Sequence, residues 1–266
     1  MKKFILIIIL CIYSTIGVSK TLTFGVVPQQ SASRLAEQWA PLISYISTQL
    51  GQEIVFATTP DIPSFEEKLE RGEFDIAYMN PYHYTVYSQQ PGYRAAAKAK
   101  DKLIRGIIVV RKDSGVTEMG QLQDEKLAFP SPAAFAATIL TQSYLKQANI
   151  DFTPAYVSSH DSVYLSVAKG FFPAGGGILR TFNALPQSTR DQLTPIWTTD
   201  GFTPHAIAVH PRINDQTELE LKAALEQVHT ASVVKHQLDQ LKITGFVSAQ
   251  DSDWDDIRSL NIKVLD

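Results

Sequence analysis

Apolar runs that suit buried strands alternate along this chain with segments in which apolar residues recur at helical spacing. Residues 22–27 form a mostly apolar run, and apolar residues then recur at helical spacing from Leu35 to Leu50. The alternation continues, with strand-like runs at 53–57, 74–78, 102–111, 126–129 and 206–210 and helical segments at 64–71, 131–147, 161–169, 218–241 and 251–256. Ser64-Phe-Glu-Glu67 predicts a capping box at one helix start. Strands that alternate with helices predict α/β layers with mainly parallel sheets.

The length of 266 residues suits two lobes of about 100 residues each. The sequence has no internal repeat and no linker rich in Gly, Ser or Pro, which favours two lobes joined by crossing segments over two independent domains. The 24 Lys and Arg residues against 27 Asp and Glu residues give a net charge of −3. Because proteins that bind nucleic acid normally present a basic face, we expect no nucleic-acid partner.

The N-terminal residues have the three-part layout of a secretory signal peptide. Two lysines precede an apolar run over residues 4–13, and small residues at 17–19 offer a cleavage site. A membrane anchor is the alternative, but the apolar run is shorter than the roughly 20 residues that span a bilayer. Cys11 does not suit a lipoprotein anchor, because the residue before it, Leu10, is large. We therefore predict a signal peptide at residues 1–19, a periplasmic location and a mature chain without cysteine.

Polar side chains are concentrated in four segments that follow predicted strands, at residues 28–33, 78–84, 130–134 and 158–162. In open α/β sheets, ligands bind beyond the carboxyl ends of the strands, where such segments lie. Three of the four segments also open predicted helices. The first backbone N–H groups of a helix are free and carry partial positive charge, so these segments are candidates for an anion site.

The segment 130–134 shows the chemistry that this arrangement predicts. Ser131 suits the N-cap of a helix and Pro132 its first position. Ala133 and Ala134 are small enough for an anion to approach their N–H groups. Arg34 is the nearest cation to the four segments. The sequence therefore predicts a small tetrahedral oxyanion held by neutral dipoles, with ordinary helix capping as the alternative.

Catalysis and metal binding are two alternatives for the histidines. His160 and Asp161 could belong to a hydrolase, but adjacent side chains diverge on a helix, and a G-x-S-x-G motif is missing from the sequence. The six histidines are scattered, with no H-E-x-x-H motif and no close pair. We expect neither an enzyme, nor a bound metal, nor a cofactor.

Four segments spread in order over residues 21–260 carry a family resemblance. They are residues 25–34 with 39–42 and Gly51; Gly72-Glu-Phe-Asp-Ile-Ala-Tyr-Met-Asn-Pro-Tyr82; Ser131 to Ala134; and Ser159-His-Asp161 with Val167-Ala-Lys-Gly170. Together they resemble the PhnD-like phosphate, phosphite and phosphonate substrate-binding proteins of ABC transporters. In the order given, they match the start of those proteins, their G-x-x-D-(I/V)-A…(G/N)-P-Y segment, their Ser/Thr-rich turn and their S-H-(D/E)…A-V-A-x-G stretch. The resemblance implies a type II periplasmic-binding-protein fold, with two α/β lobes, two crossing segments and a ligand cleft.

The resemblance also implies a division of the chain and a set of ligand contacts. Residues 20–100 and 205–266 would form one lobe, and residues 101–204 the other. The implied ligand contacts are Gln29, Gln30, Ser31, Tyr78, Asn80, Tyr82, Ser131, Ala133, Ala134 and His160, and His205 in a predicted crossing segment is expected to face the cleft. For Tyr78 and Tyr82 core packing is the alternative, and we expect one of the two to contact ligand. The implied partners of this expected monomer are a small oxyanion and an ABC permease.

One departure from the family's pattern concerns residues 171–180. Many members carry an acidic residue there, in x-D-A-G, whereas this chain has Gly175-Gly-Gly177, which would allow either close backbone approach or a flexible bend. The departure argues against an aminoalkylphosphonate ligand. Two further alternatives stay open: an input protein for a membrane sensor, and a binder of a pyrimidine-type molecule held in an aromatic clamp of Tyr78, Tyr82, Tyr84 and Phe202.

Overall fold

The computed structural model describes residues 20–265, whose strands form two separate sheets. The strands are β1 (Leu22–Val26), β2 (Ile54–Ala57), β3 (Ile76–Met79), β4 (Arg94–Ala99), β5 (Gly106–Arg111), β6 (Glu125–Phe129), β7 (Phe152–Tyr156), β8 (Ala174–Ile178), β9 (Leu193–Thr198), β10 (Ala206–Val209) and β11 (Phe246–Ser248). The strand order is β11-β4-β10-β3-β1-β2 in the first sheet and β7-β6-β8-β5-β9 in the second. Each sheet forms the centre of one α/β lobe.

Helices pack against both sheets. The α-helices are α1 (Ala32–Leu50), α2 (Ile62–Glu70), α3 (Pro81–Tyr87), α4 (Thr141–Gln147), α5 (His160–Ala168), α6 (Leu179–Asn183), α7 (Gln187–Arg190), α8 (Asp215–Gln227), α9 (Lys235–Leu241) and α10 (Asp255–Arg258). A π-helix (Phe135–Leu140) runs directly into α4, and short 3-10 turns lie at Met119–Leu122, Val228–Thr230, Ser232–Val234 and Asp251–Trp254. In α1 the helical spacing of Leu35, Trp39 and Leu42 buries one face against the first lobe, as the sequence predicts.

Both sheets are mixed, so the prediction of mainly parallel sheets is wrong. β1 runs parallel to β2 and β3, whereas β10 is antiparallel to β3 and β4. In the second sheet β6 is parallel to β7 and β8, whereas β5 is antiparallel to β8 and β9. The reason is the path of the chain between the lobes. β5 and β10 each enter their sheet directly from the other lobe, and therefore run away from the cleft toward which their parallel neighbours point.

Two crossing segments join the lobes, at residues 100–105 and 199–205. They pair with each other: Ile104 N–H donates to Phe202 O over 2.8 Å, and Phe202 N–H donates to Ile104 O over 3.0 Å. Thr199 adds two bonds to Gly106, one through its backbone N–H and one through its hydroxyl. The lobe boundaries predicted at 100/101 and 204/205 fall in these segments, and we keep them as a proposal.

The start of α2 differs from the prediction. The helix begins at Ile62, and the N-cap is Asp61, whose carboxylate accepts the backbone N–H of Ser64 over 2.8 Å. Ser64 is therefore inside the first turn rather than at the cap. Pro63 explains the earlier start, because proline suits the first turn of a helix, where its missing N–H has no intrahelical partner.

Two glycines allow the π-helix to lie directly on the second sheet. A Cβ atom on Gly106 would lie 2.1 Å from Ala136 O, and a Cβ atom on Gly176 would lie 2.0 Å from Ala137 O. Such distances are impossible for a real side chain, so β5 and β8 need glycine at these positions. Close backbone approach is therefore the alternative that applies to the glycine run in β8, which is a regular buried strand.

The predicted signal peptide, residues 1–19, lies outside the described residues and stays a prediction. Within residues 20–265 no helix is long and apolar enough to cross a membrane.

Candidate functional site

A small cavity lies between the lobes, where the ends of β1, β3 and β6 meet the start of α5. It is lined by apolar residues and by four polar side chains, those of Gln29, Asn80, His160 and His205, and we call it the inner cavity. All four polar side chains are at most 5% exposed. The cavity volume of about 10 Å³ is enough for one water-sized group. The structure therefore brings together residues from all four segments that the sequence singles out, Gln29, Asn80, Ala134 and His160, together with His205.

Gln29 connects the two lobes. Its backbone oxygen accepts the N–H of His160 over 3.1 Å. Its side-chain oxygen accepts a hydrogen bond from the Arg180 guanidinium, and its Nε2 lies 3.0 Å from Nε2 of His205. Because the amide oxygen is taken by Arg180, the amide nitrogen must donate, and Nε2 of His205 must accept. This network assigns the ring proton of His205 to Nδ1.

Asn80 uses both ends of its side-chain amide. Its Oδ1 accepts the backbone N–H of His83 over 2.8 Å and so caps α3. Its Nδ2 donates to Ala133 O, in the opposite lobe, over 3.1 Å. The carbonyl oxygen of Ala133 thus faces the first lobe, and the anion contact predicted for its N–H group stays a prediction. Asn80 fixes the first lobe against the turn that precedes the π-helix.

The two cleft histidines are neutral near pH 7. Burial and, to a smaller extent, the nearby Arg180 together lower the pKa of His160 from 6.5 to about 3. The pKa of His205 is also well below its ordinary value, chiefly because of burial and then because of Arg180. Of the two forms of His160 that the sequence leaves open, a neutral and a charged donor, the structure favours the neutral one. Its Nδ1 is buried and has no hydrogen-bond partner in the described part of the chain.

Ser131 does not cap a helix, contrary to the prediction. The π-helix begins at Phe135 with Ala134 as its N-cap, because residues 131–134 form a separate turn in which Ala134 N–H donates to Ser131 O over 3.3 Å. The Ser131 side chain is 1% exposed, and its hydroxyl has no partner among residues 20–265. The free N–H groups of the helix start therefore belong to residues 135–137, and these residues line the inner cavity.

Tyr78 and Tyr82, of which one is expected to contact ligand, lie in different surroundings. Tyr78 stacks on His205, with ring centroids 4.9 Å apart and an interplanar angle of 15°, and packs on Trp39 with centroids 4.5 Å apart. The hydroxyl of Tyr82 instead accepts the backbone N–H groups of Val264 and Leu265, over 2.8 and 2.9 Å. Tyr78 is therefore at the cleft, and Tyr82 holds the C-terminal segment. An aromatic clamp needs free ring faces, and the occupied faces of Tyr78 argue against a pyrimidine ligand.

Gln30 and Ser31 lie outside the inner cavity. Gln30 is buried close to the carboxyl of Asp161. Burial raises the pKa of that carboxyl, and Arg34 and then Gln30 oppose part of the rise. Ser31 is exposed, and its hydroxyl lies 3.4 Å from that of Ser33. The start of α1 thus contributes Gln29 to the cavity, while the next two residues face other surroundings.

Arg180 is a cleft residue that the sequence analysis does not identify. It lies in α6, two positions after β8 ends, and donates to Gln29 across the cleft and to Leu241 O over 3.3 Å. The position was available as a signal, because it follows a strand as the four chosen segments do. Arg180, which follows the glycines of β8, is absent from the predicted ligand contacts.

A family model for the phosphonate periplasmic substrate-binding proteins of ABC transporters matches residues 24–254. The chain belongs to this family. The phosphate-import protein PhnD of Mycolicibacterium smegmatis is 22% identical to it, over 91% of this chain and 85% of that protein.

Two solved structures share the fold of this chain. A binding protein component of an ABC phosphonate transporter from Pseudomonas aeruginosa has a TM-score of 0.84 at 16% identity, and the match covers 91% of this chain and 86% of that one. PhnD1 from Prochlorococcus marinus, in complex with methylphosphonate, has a TM-score of 0.82 at 19% identity, covering 91% and 98%. The predicted type II periplasmic-binding-protein fold is confirmed.

Membership of this family makes the chain a periplasmic substrate-binding protein of an ABC transporter, which implies a permease as partner. The family serves transport and not catalysis. Within residues 20–265 no group of three or more His, Cys, Asp or Glu side chains is arranged to hold a metal ion. The inner cavity is thus the candidate ligand site of a transport protein.

Further contacts across the cleft hold the lobes of this binding protein together. Arg34, in the first turn of α1, donates to Ala184 O, and its Nη1 lies 3.7 Å from the carboxylate of Asp161. Together with the bonds of Gln29 and Asn80, these contacts describe a closed cleft. Arg34, the cation that the sequence analysis places nearest the anion site, pairs with Asp161 and does not line the inner cavity.

Proposed function

We propose that this chain captures a small tetrahedral oxyanion, of the phosphate, phosphite or phosphonate class, in the inner cavity and delivers it to an ABC permease. The observation that carries the proposal is a pair of buried polar atoms without a hydrogen-bond partner within the described residues: Nδ1 of His160, which lines the inner cavity, and Oγ of Ser131, in the turn whose last residue, Ala134, lines it. Buried polar atoms almost always have partners. Each of these two atoms can donate, and an oxyanion offers several acceptor lone pairs.

The start of the π-helix adds further donors. Residues 135–137 line the inner cavity, and the first N–H groups of a helix have no intrahelical partner. The helix continues through α4, so its dipole also favours an anion at this end. A tetrahedral oxyanion would thus meet neutral donors on the side of the second lobe.

Asn80 and Gln29 would supply contacts from the first lobe. Asn80 Nδ2 and the Gln29 amide are now engaged with Ala133 and Arg180, both in the other lobe. A phosphate group needs more room than the 10 Å³ of the inner cavity, so the lobes must separate slightly to admit it. Separation would free these amides to bind the ligand, which is the hinge motion expected of two lobes joined by crossing segments.

The relatives support the choice of ligand. A protein named for phosphate import is similar over most of the chain, and a structure similar in fold holds methylphosphonate. Neutral donors favour a desolvated oxyanion over a ligand that needs a charged partner, and the described cavity offers no carboxylate to an aminoalkyl group.

Isothermal titration calorimetry of the purified protein tests the proposal. The protein is unfolded, dialysed and refolded to remove any bound anion, and is then titrated with phosphate, phosphite, methylphosphonate, arsenate and, as a control, acetate. We expect at least one tetrahedral oxyanion to bind with micromolar affinity or better, and acetate not to bind. Absence of binding to every tetrahedral oxyanion, in protein that has a cooperative thermal transition, would overturn the proposal.

A further inference from the structure

A second pocket adjoins the inner cavity on the side of the crossing segments. We call it the outer pocket; its volume is about 590 Å³, much larger than that of the inner cavity. Its charged lining residues are Lys102, Arg105, Arg180, Lys242 and Asp239. Four basic side chains and one acidic side chain give this pocket a formal charge of +3, although the whole chain has a net charge of −3.

The four cations form no ion pair within residues 20–265. Arg105 donates to Thr199 O over 3.0 Å, and Arg180 donates to Leu241 O and to the side-chain oxygen of Gln29. Lys102 and Lys242 are exposed. Neutral acceptors leave the charge of an arginine uncompensated, so the pocket keeps a positive potential that attracts anions. Elsewhere in the described chain most arginines pair with a carboxylate, as Arg94 does with Glu218.

The outer pocket and the inner cavity share part of their lining. Ile104, Ile178 and His205 belong to both, so one layer of side chains separates the two spaces. The hydrogen bonds from Arg180 to Gln29 and from Gln29 to His205 help to close this layer. Arg180 and Gln29 belong to opposite lobes, so a slight opening of the cleft breaks their contact and joins the spaces.

We propose that the outer pocket is a second anion-binding subsite, which selects ligands that carry an additional acidic group a few bonds away from the tetrahedral head. The inference rests on the proposed function, because the head group must occupy the inner cavity. The class of ligand is a phosphonate or phosphate ester with a carboxylate or a second phosphoryl group. The same positive charge disfavours a ligand whose tail carries an ammonium group.

Four phosphonates with the same head and different tails test the proposal by titration calorimetry. They are methylphosphonate, phosphonoacetate, 3-phosphonopropionate and 2-aminoethylphosphonate, measured at 20 mM and 150 mM salt. Exposed cations act through a screened field, so we expect one of the carboxylate-tailed ligands to bind about threefold to tenfold more tightly than methylphosphonate at low salt. We expect the amine-tailed ligand to bind more weakly than methylphosphonate, and both differences to shrink at 150 mM salt.

A double variant separates the pocket from the general charge of the protein. Lys102→Gln with Lys242→Gln removes two exposed cations from the outer pocket without touching the inner cavity. Lys112→Gln with Lys126→Gln is the matched control, because these two lysines are also exposed and line neither space. We expect the first variant to lose the preference for the carboxylate tail while methylphosphonate affinity changes less than twofold, and the control to keep the preference.

The outcomes distinguish the two proposals. Equal affinities for methylphosphonate and the carboxylate-tailed ligands, or a preference that survives in the Lys102 and Lys242 variant, would overturn the second subsite and leave the oxyanion function standing. Failure of every tetrahedral oxyanion to bind, the four phosphonates, phosphate, phosphite and arsenate included, would overturn the proposed function, and the subsite with it.

Discussion

Replacing Ser131 with aspartate tests directly where the anion binds. The Ser131 hydroxyl is buried without a partner beside the start of the π-helix. A ligand oxygen accepting from it would lie about 3 Å away, so a carboxylate at the same position would stand about 4 Å from the anion. At an effective dielectric of about 20, two unit charges at that distance repel by about 4 kcal/mol, which is roughly a thousandfold in affinity.

The fold should tolerate the aspartate better than the ligand does. The helix start favours a negative charge by about 0.3–1 kcal/mol, which offsets part of the cost of burying a carboxylate. Ser131→Asn has a side chain of similar size without charge and serves as the control. Phosphate affinity is measured for both by titration calorimetry, alongside thermal unfolding. We expect the Asn variant to lose at most about tenfold, which corresponds to one hydrogen bond. An Asp variant that is folded and binds phosphate within threefold of the Asn variant would show that the anion does not lie at Ser131.

Four further predictions follow from particular contacts. Asn80→Ala removes the cap of α3 and should lower the free energy of unfolding, measured by urea denaturation, by about 1–2 kcal/mol. Asn80→Asp keeps the capping oxygen and should recover part of that loss. No recovery would contradict the capping argument. Gly176→Ala places a Cβ atom 2.0 Å from Ala137 O and should lower the free energy of unfolding by about 1–3 kcal/mol or more. Gly120→Ala, where a Cβ atom meets nothing within 4 Å, is the control and should have little effect. Equal unfolding midpoints of the two variants would refute the packing argument. Burial, with a smaller effect of Arg180, lowers the pKa of His160 from 6.5 to about 3, so the unfolded chain takes up the proton first and the free energy of unfolding falls as the pH drops from about 6.5 toward 3. His160→Gln should make this fall less steep between pH 7 and 4.5. An unchanged slope would contradict the assignment of a neutral His160. N-terminal sequencing of periplasmic protein should begin at Lys20, and a sequence that begins at Met1 would refute cleavage.

The elements that depend on local spacing could be predicted from the sequence. The helical recurrence of Leu35, Trp39 and Leu42 is enough to place α1, because burial of one face fixes the helix. Strand direction could not be predicted in the same way. β5 and β10 run against their parallel neighbours only because the chain passes from one lobe to the other just before each strand, and this is a property of the whole path.

The site was predictable in its segments and not in its individual contacts. Ser131 and Pro132 carry a local signal for a helix start, but the π-helix begins at Phe135 and packs on Gly106 and Gly176, which are distant in sequence. The hydroxyl of Tyr82 accepts the backbone N–H of Leu265, and no local sequence pattern predicts this contact. Long-range contacts thus decide which of several plausible side chains turns toward the cleft.

The placement of charge around this cleft follows from the cost of burying ions. A cation enclosed in a dry cavity loses its hydration, whereas a neutral donor costs far less once it is hydrogen-bonded. The inner cavity accordingly presents amides, neutral imidazoles and backbone N–H groups, while Lys102 and Lys242 lie further out and keep their contact with water. Cations in the outer pocket would act on a charged tail through a screened field, whereas the buried donors would act on the head group at short range, where a low dielectric strengthens each hydrogen bond. A chain with a net charge of −3 could therefore hold a tetrahedral head group without a lysine in the inner cavity, where donor geometry would select the head, while the outer pocket would select the tail.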